Sequence, residues 1–148
     1  MAFRFPVRVY FSDTDAGGIV YHGRYLDFAE HACTEMFRKA CEMVAARDVS
    51  EGAGSSDGVS QRELLAHDTA FVVKSIAIDY QRPGLLDDLL EVVTEIEDCR
   101  RFSMMFLQRV MRGDEVLAEL HVRVASISVS SHRPQPIPAW LPEIAKEM

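Results

Sequence analysis

Two aspartates stand two residues apart near the start of the chain, in the run Asp13-Thr14-Asp15-Ala16-Gly17-Gly18-Ile19-Val20-Tyr21-His22. A carboxylate in a loop, fixed by a strand on one side, can attack a carbonyl or take a proton from water. Gly17 and Gly18 let the backbone come close to a ligand or adopt positive φ. The segment that follows reads as a helix, and a helix start offers unpaired N–H groups with a partial positive charge of about half a unit. Such groups polarise a carbonyl oxygen. A carboxylate and an oxyanion-binding helix start within a few residues are the minimum parts for acyl hydrolysis. The same pattern also serves as an ordinary turn with an N-capping aspartate, and spacing alone does not separate Asp13 from Asp15.

Other chemistries find less support. Two Asp at i, i+2 can offer oxygen ligands to Mg²⁺, but no third carboxylate stands at EF-hand spacing. His22 and His31 lack the His-x-x-x-His zinc spacing. His31 and Glu35 are one helical turn apart and read as a solvated pair. There is no G-x-S-x-G elbow and no phosphate-binding P-loop. Neither a metal nor a cofactor is expected. Arg100 and Arg101 lie at a strand junction, as a solvated turn or as a clamp for phosphate oxygens.

Composition narrows the partners. Sixteen Lys and Arg against 23 Asp and Glu give a net charge of −7, which argues against nucleic acid or an anionic membrane but not against a small anion held by a local basic patch. Three cysteines, Cys33, Cys41 and Cys99, with no C-x-x-C pair, fit reduced thiols and a cytoplasmic location. No signal peptide and no apolar run of membrane-spanning length is seen. At 148 residues the chain is read as one domain, 1–148.

The elements that must hold these residues follow from hydrophobic period. Residues 7–12 alternate and read as a first strand. From about Gly23 to Val44, Leu26, Ala29, Cys33, Met36, Ala40 and Val44 recur at spacings of three and four, one face of a long helix. The small residues Ala29, Ala32 and Cys33 would let it lie close to a sheet. Residues 48–60 read as a polar surface loop, and a short helix is plausible at Gln61 to His67. Strands follow at 71–80, 89–97, 103–111 and 115–129, the last two forming a hairpin about Arg112-Gly113-Asp114. On the last strand Val116, Ala118, Leu120, Val122 and Val124 share a face, and a switch of the apolar set after Ala125 suggests a bulge. The Pro-rich piece 132–138 stops the sheet, and 139–147 reads as a short helix. One long helix on a five-stranded, mostly antiparallel sheet is an α+β arrangement. One helix covers only part of such a sheet, so a homo-oligomer, dimer or tetramer, is expected to bury the rest.

Phe3 to Phe11, the Asp13-to-His22 run and Tyr25-Leu26 together resemble the 4-hydroxybenzoyl-CoA thioesterase family, in the branch of Tol-Pal-associated acyl-CoA thioesterases. Ala70-Phe71-Val72-Val73-Lys74 and Leu86 to Val92 are similar to that branch as well. The resemblance implies a hot-dog fold, a long central helix packed on a five-stranded antiparallel sheet. It also implies hydrolysis of a short aliphatic or aromatic acyl-CoA, with Asp15 as the catalytic carboxylate. Tyr21, His22 and Gly23 fall where N–H groups bind the thioester carbonyl, and Arg100 and Arg101 fall near the residues that hold CoA. An acyl-carrier-protein substrate, a non-catalytic acyl-CoA binder, and a rival carboxylate on the helix at Glu30 or Glu35 stay open. Two departures stand out: Ser12 replaces the usual Glu, and the loop around 51–60 is longer.

Overall fold

The computed structural model describes residues 2–50 and 61–148. Strand β1 (Phe3–Arg8) leads through a 3₁₀ turn (Phe11–Asp13) to the long helix α1 (Arg24–Ser50). Helix α2 (Gln61–Ala66) and strands β2 (Thr69–Tyr80), β3 (Leu89–Cys99), β4 (Ser103–Arg112) and β5 (Glu115–Ser128) follow, then helix α3 (Trp140–Ala145). The strands form one antiparallel sheet in the order β1-β3-β4-β5-β2. Helix α1 lies against one face of it, the α+β arrangement that the resemblance implied.

The helix stripe explains the packing. Ala29, Met36 and Ala40 are buried with Ala32, Phe28 and Phe37, against Leu90, Val92, Phe106, Val110, Leu120 and Val122 of the sheet. Alanines on the contact face bring the helix backbone near enough for a strand side chain to reach it. Gln108 of β4 donates from Nε2 to the Ala29 carbonyl at 2.8 Å.

Three expectations need correction. The first strand runs over Phe3–Arg8 rather than 7–12. Pro6 fits because β1 is an edge strand, where a missing N–H breaks no central ladder. The chain turns after Val9 because Asp13 reaches back: its Oδ2 accepts the Tyr10 N–H at 2.9 Å, and its own N–H donates to the Tyr10 carbonyl at 2.9 Å. Second, the irregularity near Ala125 lies in β2 and not in β5: the register shifts between Val73 and Ser75, opposite Val124 and Arg123, while the β5 alternation continues inward through Ser126 and Ser128. Small serines fill inward positions there, which mimics a change of face. The irregularity opposite β4 falls at Leu117, so Leu117 joins Ala118 in the core while Val116 is only half-buried. Third, α1 extends to Ser50, six residues beyond Val44; the rest of the expected loop, 51–60, lies outside the described residues.

Candidate active site

The Leu117 bulge builds one wall of a cleft. The Leu117 carbonyl accepts the N–H groups of Gln81 and Arg82 at 2.8 and 3.1 Å, fixing the segment after β2. That segment faces the first loop. Val20 donates to the Gly84 carbonyl at 2.9 Å, and the Gly84 N–H donates to the buried Tyr25 hydroxyl at 3.0 Å. Between them lies an open cleft of about 440 Å³ lined by Asp15, His22, Tyr25, Tyr80, Arg82 and neighbours.

The two aspartates of the motif part company here. Asp13 is 9% exposed, and its carboxylate is used by the Tyr10 N–H and lies 3.6 Å from Arg24 Nε. Asp15 is exposed, and only its Oδ1 is engaged, by the Gly17 N–H at 2.8 Å. Its Oδ2 has no partner among the described residues. The loop closes through Gly18, which donates to the Asp15 carbonyl at 3.0 Å from a φ of +77°, a conformation that suits glycine. A Cβ on Gly17 would sit 3.1 Å from Asp15 Oδ1. Close backbone approach is what lets residue 17 hold the carboxylate.

At the start of α1 the expected donors are not equivalent. The Tyr21 N–H is spent on the Asp13 carbonyl at 2.8 Å. The N–H groups of His22 and Gly23 make no hydrogen bond among the described residues, so they are the two available to a carbonyl oxygen. The Tyr21 ring packs on the His22 ring, with centroids 4.4 Å apart. Tyr80 is the residue that sequence reasoning missed. Its hydroxyl donates to the His22 carbonyl at 2.8 Å. The peptide unit is planar and trans, so pinning the His22 oxygen on one side aims the Gly23 N–H to the other. Burial, and then the nearby Tyr21, raise the pKa of Tyr80, which keeps this hydroxyl a donor. No local spacing signals a contact between residues 58 apart.

The structure does not bring Arg100 and Arg101 to this cleft within one chain. Leu89, at the beginning of β3, pairs with Arg8 of β1 near the first loop, whereas the arginines follow Cys99 at its far end. An eleven-residue strand spans roughly 35 Å. Arg100 pairs with Asp98 at 3.0 Å, and Arg101 lies over the Phe102 ring at 5.1 Å. The rival carboxylates also stand apart from the Asp15 cleft. Glu30 is exposed, accepts the Thr34 hydroxyl at 2.8 Å and lies 3.9 Å from His31, while Glu35 pairs with Arg38 rather than with His31. Cys33 is no rival nucleophile. Burial, helped by Glu30, pushes its thiol up to about 12, and the thiolate is the reactive form.

Residues 17–119 match a family model described as the thioesterase superfamily. The acyl-CoA thioester hydrolase YbgC of Escherichia coli O6:H1 is 39% identical over 137 residues, covering 92% of this chain and 90% of that protein. The acyl-CoA thioesterase YbgC of Haemophilus influenzae is 40% identical over 136 residues, covering 92% and 88%. Among solved structures, a probable thioesterase from Bartonella henselae superposes with a TM-score of 0.76 at 27% identity, covering 93% of this chain and 100% of that one. The chain belongs to the thioesterase superfamily, with the hot-dog fold.

Proposed function

We propose that this chain hydrolyses acyl-CoA thioesters to free acid and CoA, with Asp15 as the catalytic carboxylate and the His22 and Gly23 N–H groups as the oxyanion donors. One observation carries the reading: Asp15 is held by a single backbone hydrogen bond, with its second oxygen open, in the cleft that His22 shares. The curated relatives act on acyl-CoA thioesters, which supplies the substrate class. Asp15 attacks the thioester carbonyl or takes a proton from the attacking water, and charge develops on the carbonyl oxygen in either case. Each properly aimed donor is worth about 10²–10³ in rate.

We further propose a single catalytic domain working as a homo-oligomer in the cytoplasm. Strand β2 lies at the sheet edge with Val72, Val73, Ile76 and Tyr80 39–59% exposed, an apolar border that a second copy would cover. Arg100 and Arg101 would then serve a CoA phosphate only at the cleft of another copy. The three cysteines are free thiols, and no described helix is long and apolar enough to cross a membrane.

Thiol release measured over a series of acyl-CoA chain lengths, and over acyl-carrier-protein thioesters, tests the activity. Turnover of at least one acyl-CoA well above its spontaneous rate is expected. Tight binding of acyl-CoA without thiol release would establish a binding module instead.

A further inference from the structure

A second cavity, of about 300 Å³, lies between α1 and the sheet. Its walls are mostly apolar, with Leu26 and Phe37 from α1, Phe71 and Ile76 from β2, and Val122 from β5, although Glu30 of α1 also stands on the wall. The polar side chains on the wall are mostly spoken for: the Thr34 hydroxyl donates to Glu30 and the Thr69 hydroxyl to the His67 carbonyl. Gln108 is different. It is 1% exposed, and its Nε2 donates both to the Ala29 carbonyl at 2.8 Å and to Thr94 Oγ1 at 3.1 Å. The Ala29 carbonyl can only accept, which fixes the nitrogen on that side and turns Oε1 away from it. Oε1 accepts no hydrogen bond among the described residues, and Gln108 lines the cavity. The amide oxygen thus has no protein partner yet is not sealed off, since the buried side-chain polar atom left without a partner among the described residues is Ser126 Oγ; the space beside Gln108 is the cavity.

The cavity shares no lining residue with the Asp15 cleft, but both draw on neighbouring positions of α1 and β2. Leu26 on its wall is one helical turn beyond His22, and Ile76 precedes Tyr80 by four residues on β2. Gln108 stands in one cross-strand row with Leu120 and Ile78, two residues short of Tyr80. Along α1, Ala29 is six residues from Gly23, about 9 Å at the helical rise. An acyl group with its carbonyl at the His22 and Gly23 N–H groups would pass Leu26 and end at Gln108.

We propose that this cavity takes the acyl chain and that Gln108 is a specificity-determining residue, its amide oxygen accepting a hydrogen bond from a hydroxyl at the chain's far end, roughly 9 Å from the thioester carbonyl. The proposal rests on the thioesterase reading of the Asp15 cleft. Its substrate class is an acyl thioester that is apolar along its length and carries a donor at its end. A site with a buried acceptor discriminates against the analogue that leaves the acceptor unpaired.

The test is a matched pair of medium-chain acyl-CoA thioesters of equal length, with and without a terminal hydroxyl. For the wild-type chain, kcat/KM is expected to favour the hydroxylated member by about tenfold or more. Gln108→Met, of similar volume and without a strong acceptor, should bring the ratio near one while thiol release continues. Equal kcat/KM in the wild type, or an undiminished preference in Gln108→Met, overturns the proposal. The Kd ratio of the same pair on Asp15→Asn gives a reading that needs neither turnover nor a folded Gln108 variant, and tighter binding of the hydroxylated member is expected. If Asp15→Asn hydrolyses both at wild-type rates while the preference persists, the carboxylate assignment falls and the Gln108 assignment stands. If the wild type neither binds nor hydrolyses either member, both fall.

Discussion

On the Asp13 side of the first loop everything is engaged. The carboxylate takes the Tyr10 N–H, the main-chain carbonyl takes the Tyr21 N–H, and Arg24 stands beside the side chain while also donating to the Ser12 carbonyl. On the Asp15 side the carboxylate holds one hydrogen bond, lies exposed and shares its cleft with the free N–H end of α1. Two identical side chains, two residues apart, thus differ in what is left over for a substrate. A group that satisfies its own loop has nothing to offer a reaction; a group held at one oxygen has the other.

The largest effect expected is on turnover at Asp15. Asp15→Asn keeps the shape and the Gly17 contact but loses the charge, and kcat should drop by about 10²–10⁴ in a thiol-release assay. Tyr80→Phe comes next. It removes the donor that orients the His22–Gly23 peptide, and kcat should fall by about tenfold with KM little changed, since the aim of an oxyanion donor matters more in the transition state than in the bound substrate. A change confined to KM would break the assigned positioning role. Asp13 should behave in the opposite way to Asp15. Asp13→Ala removes the acceptor of the Tyr10 N–H and should lower unfolding free energy by about 1–3 kcal/mol. Asp13→Asn, which keeps an acceptor, should retain activity within about tenfold of the wild type.

A smaller, pH-dependent effect is expected at Asp88, in the turn that follows Gly84. Burial works against the Asp88 charge, but hydrogen bonds from Arg112 at 2.8 Å and from the Leu85 N–H at 2.9 Å outweigh it and hold the carboxyl below its usual range. A folded pKa below the unfolded one means that Asp88 stabilises the fold above about pH 4, and that this contribution is lost as pH falls further. The Tm difference between wild type and Asp88→Asn should therefore be largest near neutrality and shrink toward pH 3. A constant difference would show that the ion pair is not its source.

Much of this was legible in the residues, for reasons that differ by element. The α1 stripe and the β3 alternation are periodic, and Ala29, Met36 and Ala40 of the stripe are buried as read, although Leu26 at its start is 39% exposed. The turn Gly113-Asp114 was marked by residue type. What periodicity missed are the places where one side chain overrides its neighbours. Asp13 ends β1 early by binding Tyr10, and Ser126 and Ser128 continue an inward face that reads as polar. The site divides in the same way. Asp15 and the helix start are contiguous and were visible as a motif. Tyr80 and Gln108 act across 58 and 79 residues of chain, and only the sheet register brings them in. The arginines illustrate the converse: their strand junction was legible, but only the sheet register shows that it lies at the end of β3 away from the first loop.

The measurement that bears most directly on Asp15 is single-turnover thiol release from an acyl-CoA by the wild type, Asp15→Asn and Glu30→Gln, with folding of each checked by circular dichroism. Asp15→Asn should be slower by at least about 10² and Glu30→Gln indistinguishable from the wild type. Near-wild-type release by folded Asp15→Asn, or a comparable loss in Glu30→Gln, would contradict the assignment.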